Sequence, residues 1–135
     1  MNEPEWLDIN IVLDMHAEQL ALFGGADGMR DRALLESALA RPINKFAYGE
    51  ADIAVLAAAY GFGIARNHPF IDGNKRTAFA SIIVFLGLGG IELDAPPEAA
   101  TAVMLSLAAG EIDEDDLARW IAGNIRPLEA PGIQP

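Results

Sequence analysis

Two apolar stretches constrain this chain more than anything else in it. Residues 52–66 read "DIAVLAAAYGFGIAR", and residues 77–91 read "TAFASIIVFLGLGGI". Each is apolar on nearly all sides, which a soluble helix tolerates only where other elements cover it. The second run holds Ser81 and three glycines and is too short to span a bilayer comfortably. Pro69 pushes His68 out of helical geometry, so the first helix is expected to end near Asn67. The second is expected to begin at Gly73 or Asn74 and run to about Leu88. The chain is thus expected to be built on two central helices, with the polar run "HPFIDGNKR" (68–76) between them.

Helical periodicity accounts for most of the remainder. Apolar residues recur at Ile9, Val12, Leu13, Leu20 and Phe23, with Asp8 as N-cap and Gly24-Gly25 as the stop. His16 lies on that stripe and is expected to be a satisfied structural histidine rather than a ligand. A second helix covers about 31–41, capped by Asp31 and ending before Pro42. "INKFAYGE" (43–50) has no helical period and reads as a short extended flap or loop, with Phe46 and Tyr48 on one side. "GGIELDAPP" (89–97) reads as a turn with one short strand, followed by a helix over 97–109. In the last helix Asp113 and Asp116 form a capping box, Ile112 staples to Leu117, and three acidic residues suit the helix dipole. Leu117, Trp120, Ile121 and Asn124 make its inward stripe. The expected fold is an all-α single-domain bundle of about six helices over residues 1–126, with a Pro-rich flexible tail at 127–135.

Composition narrows the function classes. Nine Lys plus Arg against twenty Asp plus Glu give a net charge of −11. Nucleic acid and anionic membrane surfaces reward the opposite sign, so neither is expected as a partner. With no cysteine, a disulfide scaffold, a thiolate zinc site and a cysteine nucleophile are all excluded. Two histidines cannot build a multi-histidine metal centre. The acidic N-terminus "MNEPEWLD" does not read as a signal peptide, and a cytoplasmic location is expected.

The polar loop ends where the second central helix begins. A helix N-terminus presents free N–H groups and a positive dipole end. Gly73 clears the approach, and Asn74, Lys75 and Arg76 add donors and two charges, a combination suited to phosphate. Asp72 beside a phosphate site calls for an intervening cation, and Mg²⁺ commonly binds one or two carboxylates together with substrate phosphates. His68 is the loop residue whose side-chain type exchanges a proton near neutrality. Those roles would support phosphoryl or nucleotidyl transfer, which depends mostly on positioning and charge neutralisation. On composition and spacing alone an ordinary solvated connector fits equally well. The five Ser and Thr residues lie inside expected helices with no histidine near them in sequence, so a serine hydrolase is weakly supported.

"HPFIDGNKR" closely resembles the signature of the Fic/Doc family in its death-on-curing (Doc) toxin branch. Fic enzymes carry His-Pro-Phe-x-Asp/Glu-Gly-Asn-Gly-Arg-x-x-Arg; the Doc branch carries His-x-Phe-x-Asp-Ala/Gly-Asn-Lys-Arg. "GGADGMRDRALLESALARP" (24–42) and "AYGE" (47–50) resemble the Doc-type N-terminal half, and the likeness extends over about residues 6–126. It implies His68 as catalytic base, Asp72 as the Mg²⁺ ligand, Asn74 and Arg76 as phosphate-binding residues, and Gly73 at the anion hole. Lys45, Phe46 and Tyr48 would lie in a flap that aligns a target polypeptide. Two departures from the Fic pattern matter: Lys75 replaces the second glycine, and Phe79 replaces the final arginine. The Doc branch shares this lysine, which implies reversed ATP binding and transfer of the γ-phosphate to a protein hydroxyl, with elongation factor Tu as the expected type of target. AMP transfer and a degenerate binding module remain the alternatives. None of the five Ser/Thr residues has Glu four positions on, so the internal Fic inhibitory motif is missing and a separate Phd-like antitoxin is implied.

Arg66 precedes the proposed base by two residues and could touch phosphate or pair with a carboxylate. Arg30 and Asp31 read as turn and cap residues, and Trp6 and Trp120 as packing residues.

Overall fold

The computed structural model describes residues 2–128. It contains helices α1 (Ile9–Phe23), α2 (Arg32–Ala47), α3 (Ile53–Asn67), α4 (Asn74–Leu88), α5 (Pro97–Ala108) and α6 (Glu114–Ala122). Strand β1 (Ile91–Leu93) pairs antiparallel with β2 (Ile125–Pro127), Glu92 opposite Arg126. Asp8, Asp31, Asp52 and Asp113 cap α1, α2, α3 and α6 through their side chains, and Asp113 and Asp116 complete the expected capping box.

Helix α3 lies at the centre, packed against α2, α4, α5 and α6. Its small residues make that possible. A methyl on Gly63 would lie 3.1 Å from the Ala38 Cα of α2, so the two backbones approach closely there. Around it Leu35, Leu56, Ile64, Ile82, Phe85, Leu86, Leu107, Leu117 and Ile121 are fully buried. Each such side chain contributes about 1.5–3 kcal/mol by leaving water.

The N-terminal segment is tied to this core. Tyr60 is fully buried, and its hydroxyl accepts a hydrogen bond from the Leu7 N–H at 2.9 Å. Trp6 stacks on Phe85 at 6.0 Å and meets Phe46 edge-on at 5.6 Å.

Three boundaries differ from the sequence reading. Helix α2 runs through Pro42 to Ala47 instead of stopping at residue 41. An interior proline costs a helix about 3 kcal/mol or more. Here the last turns have tertiary partners that offset it: Pro42 is buried, Phe46 packs on Trp6, and Arg41 and Lys45 both pair with Glu114 of α6. The extended flap expected over 43–50 is therefore absent from the described residues. Residues 43–47 complete α2, and Tyr48 and Gly49 form a turn. The second correction is β2, which sequence patterning did not reveal. The third concerns the expected tail: β2 reaches Pro127, and Leu128 donates to the Gly90 carbonyl at 2.9 Å. Residues 129–135 lie outside the described part of the chain.

Burial raises the Tyr60 phenol to about 12, while its hydrogen bond from Leu7 acts in the opposite direction. A folded-state value above the unfolded value of about 10 means that stability falls as pH rises between the two. Tyr60→Phe should cost about 1–2 kcal/mol in denaturant unfolding at neutral pH, because the Leu7 N–H loses its acceptor. The same variant should lose part of the wild-type decline in stability above about pH 10.

Candidate active site

The loop between α3 and α4 has no regular structure of its own, and the segment 25–31 holds it in place. The Gly28 carbonyl accepts from the Ile71 N–H at 3.0 Å, and Met29 bridges Phe70. Arg30 and Asp31 both donate backbone N–H bonds to the Pro69 carbonyl, at 2.7 and 3.0 Å. From inside, the Asn74 amide spans the loop: Oδ1 accepts from the Phe70 N–H and Nδ2 donates to the Phe70 carbonyl, each at 2.9 Å. Phe70 is buried and stacks on the buried His16 ring at 3.7 Å with an 8° interplanar angle. His16 Nε2 donates to the Asp72 carbonyl at 2.8 Å. It is thus a satisfied histidine, and its work is to support this loop.

The outer side of the loop is a hollow of about 80 Å³ lined by His68, Asp72, Gly73, Asn74, Lys75 and Arg76. Its floor is the start of α4. Unlike the four helices capped by aspartate, α4 starts at Gly73 (φ 78°) with no side-chain cap. Among the described residues the Asn74, Lys75 and Arg76 backbone N–H groups have no protein acceptor. Three free amides beside two cations make an anion cradle.

Asp72 stands at its edge, exposed. The Gly73 N–H donates to Oδ1 at 2.9 Å and the Ala26 N–H to Oδ2 at 3.3 Å. These bonds, Gly73 first, hold the carboxyl below its usual range, and the charges of Arg76 and Lys75 add to the effect. Gly25 is required here, since a methyl on it would meet Asp72 Oδ2 at 2.9 Å. His68 is exposed at the rim, and among the described residues its ring nitrogens have no hydrogen-bond partner.

The structure reassigns several side chains. The Asn74 amide is engaged with Phe70, so this residue can offer an anion its backbone N–H and not its side chain. The Gly73 N–H is likewise engaged with Asp72, which leaves Gly73 the left-handed turn. The Arg76 guanidinium bonds to the Gly24 carbonyl at 3.2 Å and lies over the Phe23 ring at 5.1 Å, directed toward α1. Arg66 does not line the hollow; its guanidinium lies 5.4 Å from the centre of the Phe62 ring, which Arg41 also covers at 4.9 Å. Of the three flap candidates, Phe46 is packed on Trp6 and Lys45 is paired with Glu114 at 3.5 Å, while Tyr48 is 93% exposed. Glu114 itself, read from sequence as a dipole residue, is buried and bonded to Arg41.

A second, largely apolar groove of about 580 Å³ begins where the hollow ends. Phe23 of α1, Phe79 and Ile83 of α4, and Met104 and Leu105 of α5 line it, and Lys75 and Arg76 belong to both spaces.

The Fic/DOC family model matches residues 6–86. The chain belongs to the Fic/DOC family, in its Doc toxin branch. It is 40% identical over 124 residues to "Toxin Doc" of Mycolicibacterium smegmatis (strain ATCC 700084 / mc(2)155), covering 88% of this chain and 92% of the relative. It is 33% identical over 108 residues to "Protein kinase doc" of Escherichia phage P1, covering 79% and 85%.

Asn74→Ala removes the partner of two buried Phe70 groups, each worth about 1–3 kcal/mol when left unsatisfied. A loss of about 2–4 kcal/mol in chemical denaturation is expected, with a correspondingly disordered loop between α3 and α4. A change below about 0.5 kcal/mol, the usual range of surface substitutions, would show that the bridge carries no such load.

Proposed function

We propose that this protein is the toxin of a toxin–antitoxin module, and that it transfers the γ-phosphate of ATP to a hydroxyl of a target protein. The observation that carries this reading is the uncapped start of α4, with the ionised Asp72 and the free His68 ring at its edge. The names of two relatives, a toxin and a protein kinase, support it. So does Lys75, which occupies the cradle edge where Fic enzymes have glycine. A translation factor of the elongation factor Tu type is the proposed target class, reached in the cytoplasm.

The residues divide the work. The free amides of Asn74, Lys75 and Arg76 would hold phosphate oxygens. His68 would take the proton of the target hydroxyl as its oxygen bonds to the γ-phosphorus. The bond from that phosphorus to its bridging oxygen breaks, and ADP leaves with the electron pair. Asp72 fits Mg²⁺: its carboxylate is exposed, held ionised, and each oxygen accepts a single backbone bond, leaving lone pairs outward. When bound there, Mg²⁺ would neutralise phosphate charge. Among the described residues there is no group of three or more His, Cys, Asp or Glu able to hold a metal, so Asp72 would share the ion with phosphates and water.

The groove beside the cradle supports control by a Phd-like antitoxin. Phe23 and Leu105 are 63% and 53% exposed, and the groove is open along α4 and α5. An amphipathic helix would lay its apolar face there and place carboxylates near Lys75 and Arg76. Because those two residues also line the cradle, such an occupant would crowd the phosphates.

Incubation of protein, target and ATP labelled at either the α or the γ position tests the reaction. Label from the γ position alone is expected on the target, and His68→Ala should lower its transfer about 10²- to 10⁴-fold. Label from the α position would establish AMP transfer instead. Transfer of neither label, with His68→Ala unchanged from wild type, would indicate a binding module. For the groove, Ile83→Glu on the exposed side of α4 should weaken antitoxin binding at least about tenfold by titration calorimetry, equivalent to about 1.4 kcal/mol. Binding unchanged by this charge would place the antitoxin elsewhere.

A further inference from the structure

We propose that Arg30 is a positioning residue for His68, which it holds in a backbone conformation that the loop would not keep alone. This inference rests on the reading of His68 as the base. His68 has φ 53° and ψ 55°, and it is the one described non-glycine residue with positive φ. Side-chain-bearing residues enter that left-handed region rarely, and when they do the surrounding structure must impose it. His68 also ends α3, where the last carbonyls lack helical partners.

Arg30 meets that need directly. Its Nε donates to the His68 carbonyl at 2.7 Å, and its Nη2 donates to the Asn67 carbonyl at 2.8 Å. The next carbonyl, of Pro69, accepts the Arg30 backbone N–H. One residue thus binds three successive carbonyls that orient the peptide planes on both sides of His68. The guanidinium charge also suits the negative end of α3. Among the described residues Arg30 forms no ion pair, and it does not line the hollow. Its influence on the His68 ring therefore passes through the backbone. A lysine would keep the charge without the fork that reaches two carbonyls at once.

The experiment compares wild type with Arg30→Ala, Arg30→Lys, His68→Ala and, as a surface control, Arg32→Ala. Arg32 is exposed and faces Glu36 at 3.9 Å. Steady-state transfer to the target is measured together with amide hydrogen exchange of residues 67–71. Both Arg30 variants are expected to lose about 10²-fold in kcat, the scale of a small misplacement of a reacting group. KM for ATP should stay unchanged, because the cradle amides belong to α4. Guanidinium ion at sub-denaturing concentration should restore part of the kcat of Arg30→Ala and leave Arg32→Ala unaffected. Exchange at 67–71 should accelerate in both Arg30 variants.

Wild-type kcat in Arg30→Lys would overturn the proposal. So would a kcat loss matched by a rising KM with no guanidinium rescue, which marks general loosening. If Arg30→Ala does not fold, Arg30→Lys decides by the same kcat and exchange criteria. Full activity in His68→Ala would instead remove the base itself, and the proposal with it.

Discussion

The candidate site depends on a backbone pairing between two loops. Neither 25–31 nor 67–73 has enough regular structure to define itself. Together they exchange bonds at Ala26–Asp72, Gly28–Ile71 and Arg30 with Pro69, and the second loop is pinned from beneath by Asn74 and His16. Buried or half-buried peptide groups must find partners, and here each loop supplies them for the other. The consequence is a fixed placement for Asp72 and for the start of α4, which a single solvated connector could not provide.

The helices beneath explain why that placement is stable. Small residues let α3 sit at the centre of the bundle, and large ones on α4 and α6 fill the space around it. The core therefore extends to the base of the polar loop: Phe70 is as buried as Phe85. The polar groups that face solvent are carried on a rigid floor. Four helices of this chain close their own N-termini with aspartate, while α4 leaves its amides to whatever anion arrives. Helix α5 also starts without a side-chain cap, so the candidate binding end is marked by the open amides of α4 together with the polar loop and cations beside them.

Where the sequence reading failed, tertiary contacts had outweighed local rules. Pro42 is a sound helix terminator by local sterics, but Phe46 and the pairings of Arg41 and Lys45 with Glu114 draw the helix onward. The extended flap disappeared with that error. Arg66 stood close to His68 in sequence, yet its side chain follows the helical path back over Phe62, four residues earlier. Arg30 looked like a turn residue because its partners lie 37 and 38 positions away.

The six helices, the aspartate caps of α1, α2 and α6, and the polar loop between the two apolar helices were determined by the sequence itself. Periodicity, capping residues and the Pro69 restriction are local, so they can be read without knowing what packs on what. The motif likewise carried the family resemblance that the Fic/DOC model and the two relatives then bore out. Only the tertiary structure decided which donors remain free for a ligand. Asn74 and Gly73 spend theirs inside the loop, Arg76 turns to Gly24, and the backbone amides of α4 stay open. That allocation depends on partners brought together from distant parts of the chain, and no local pattern records it.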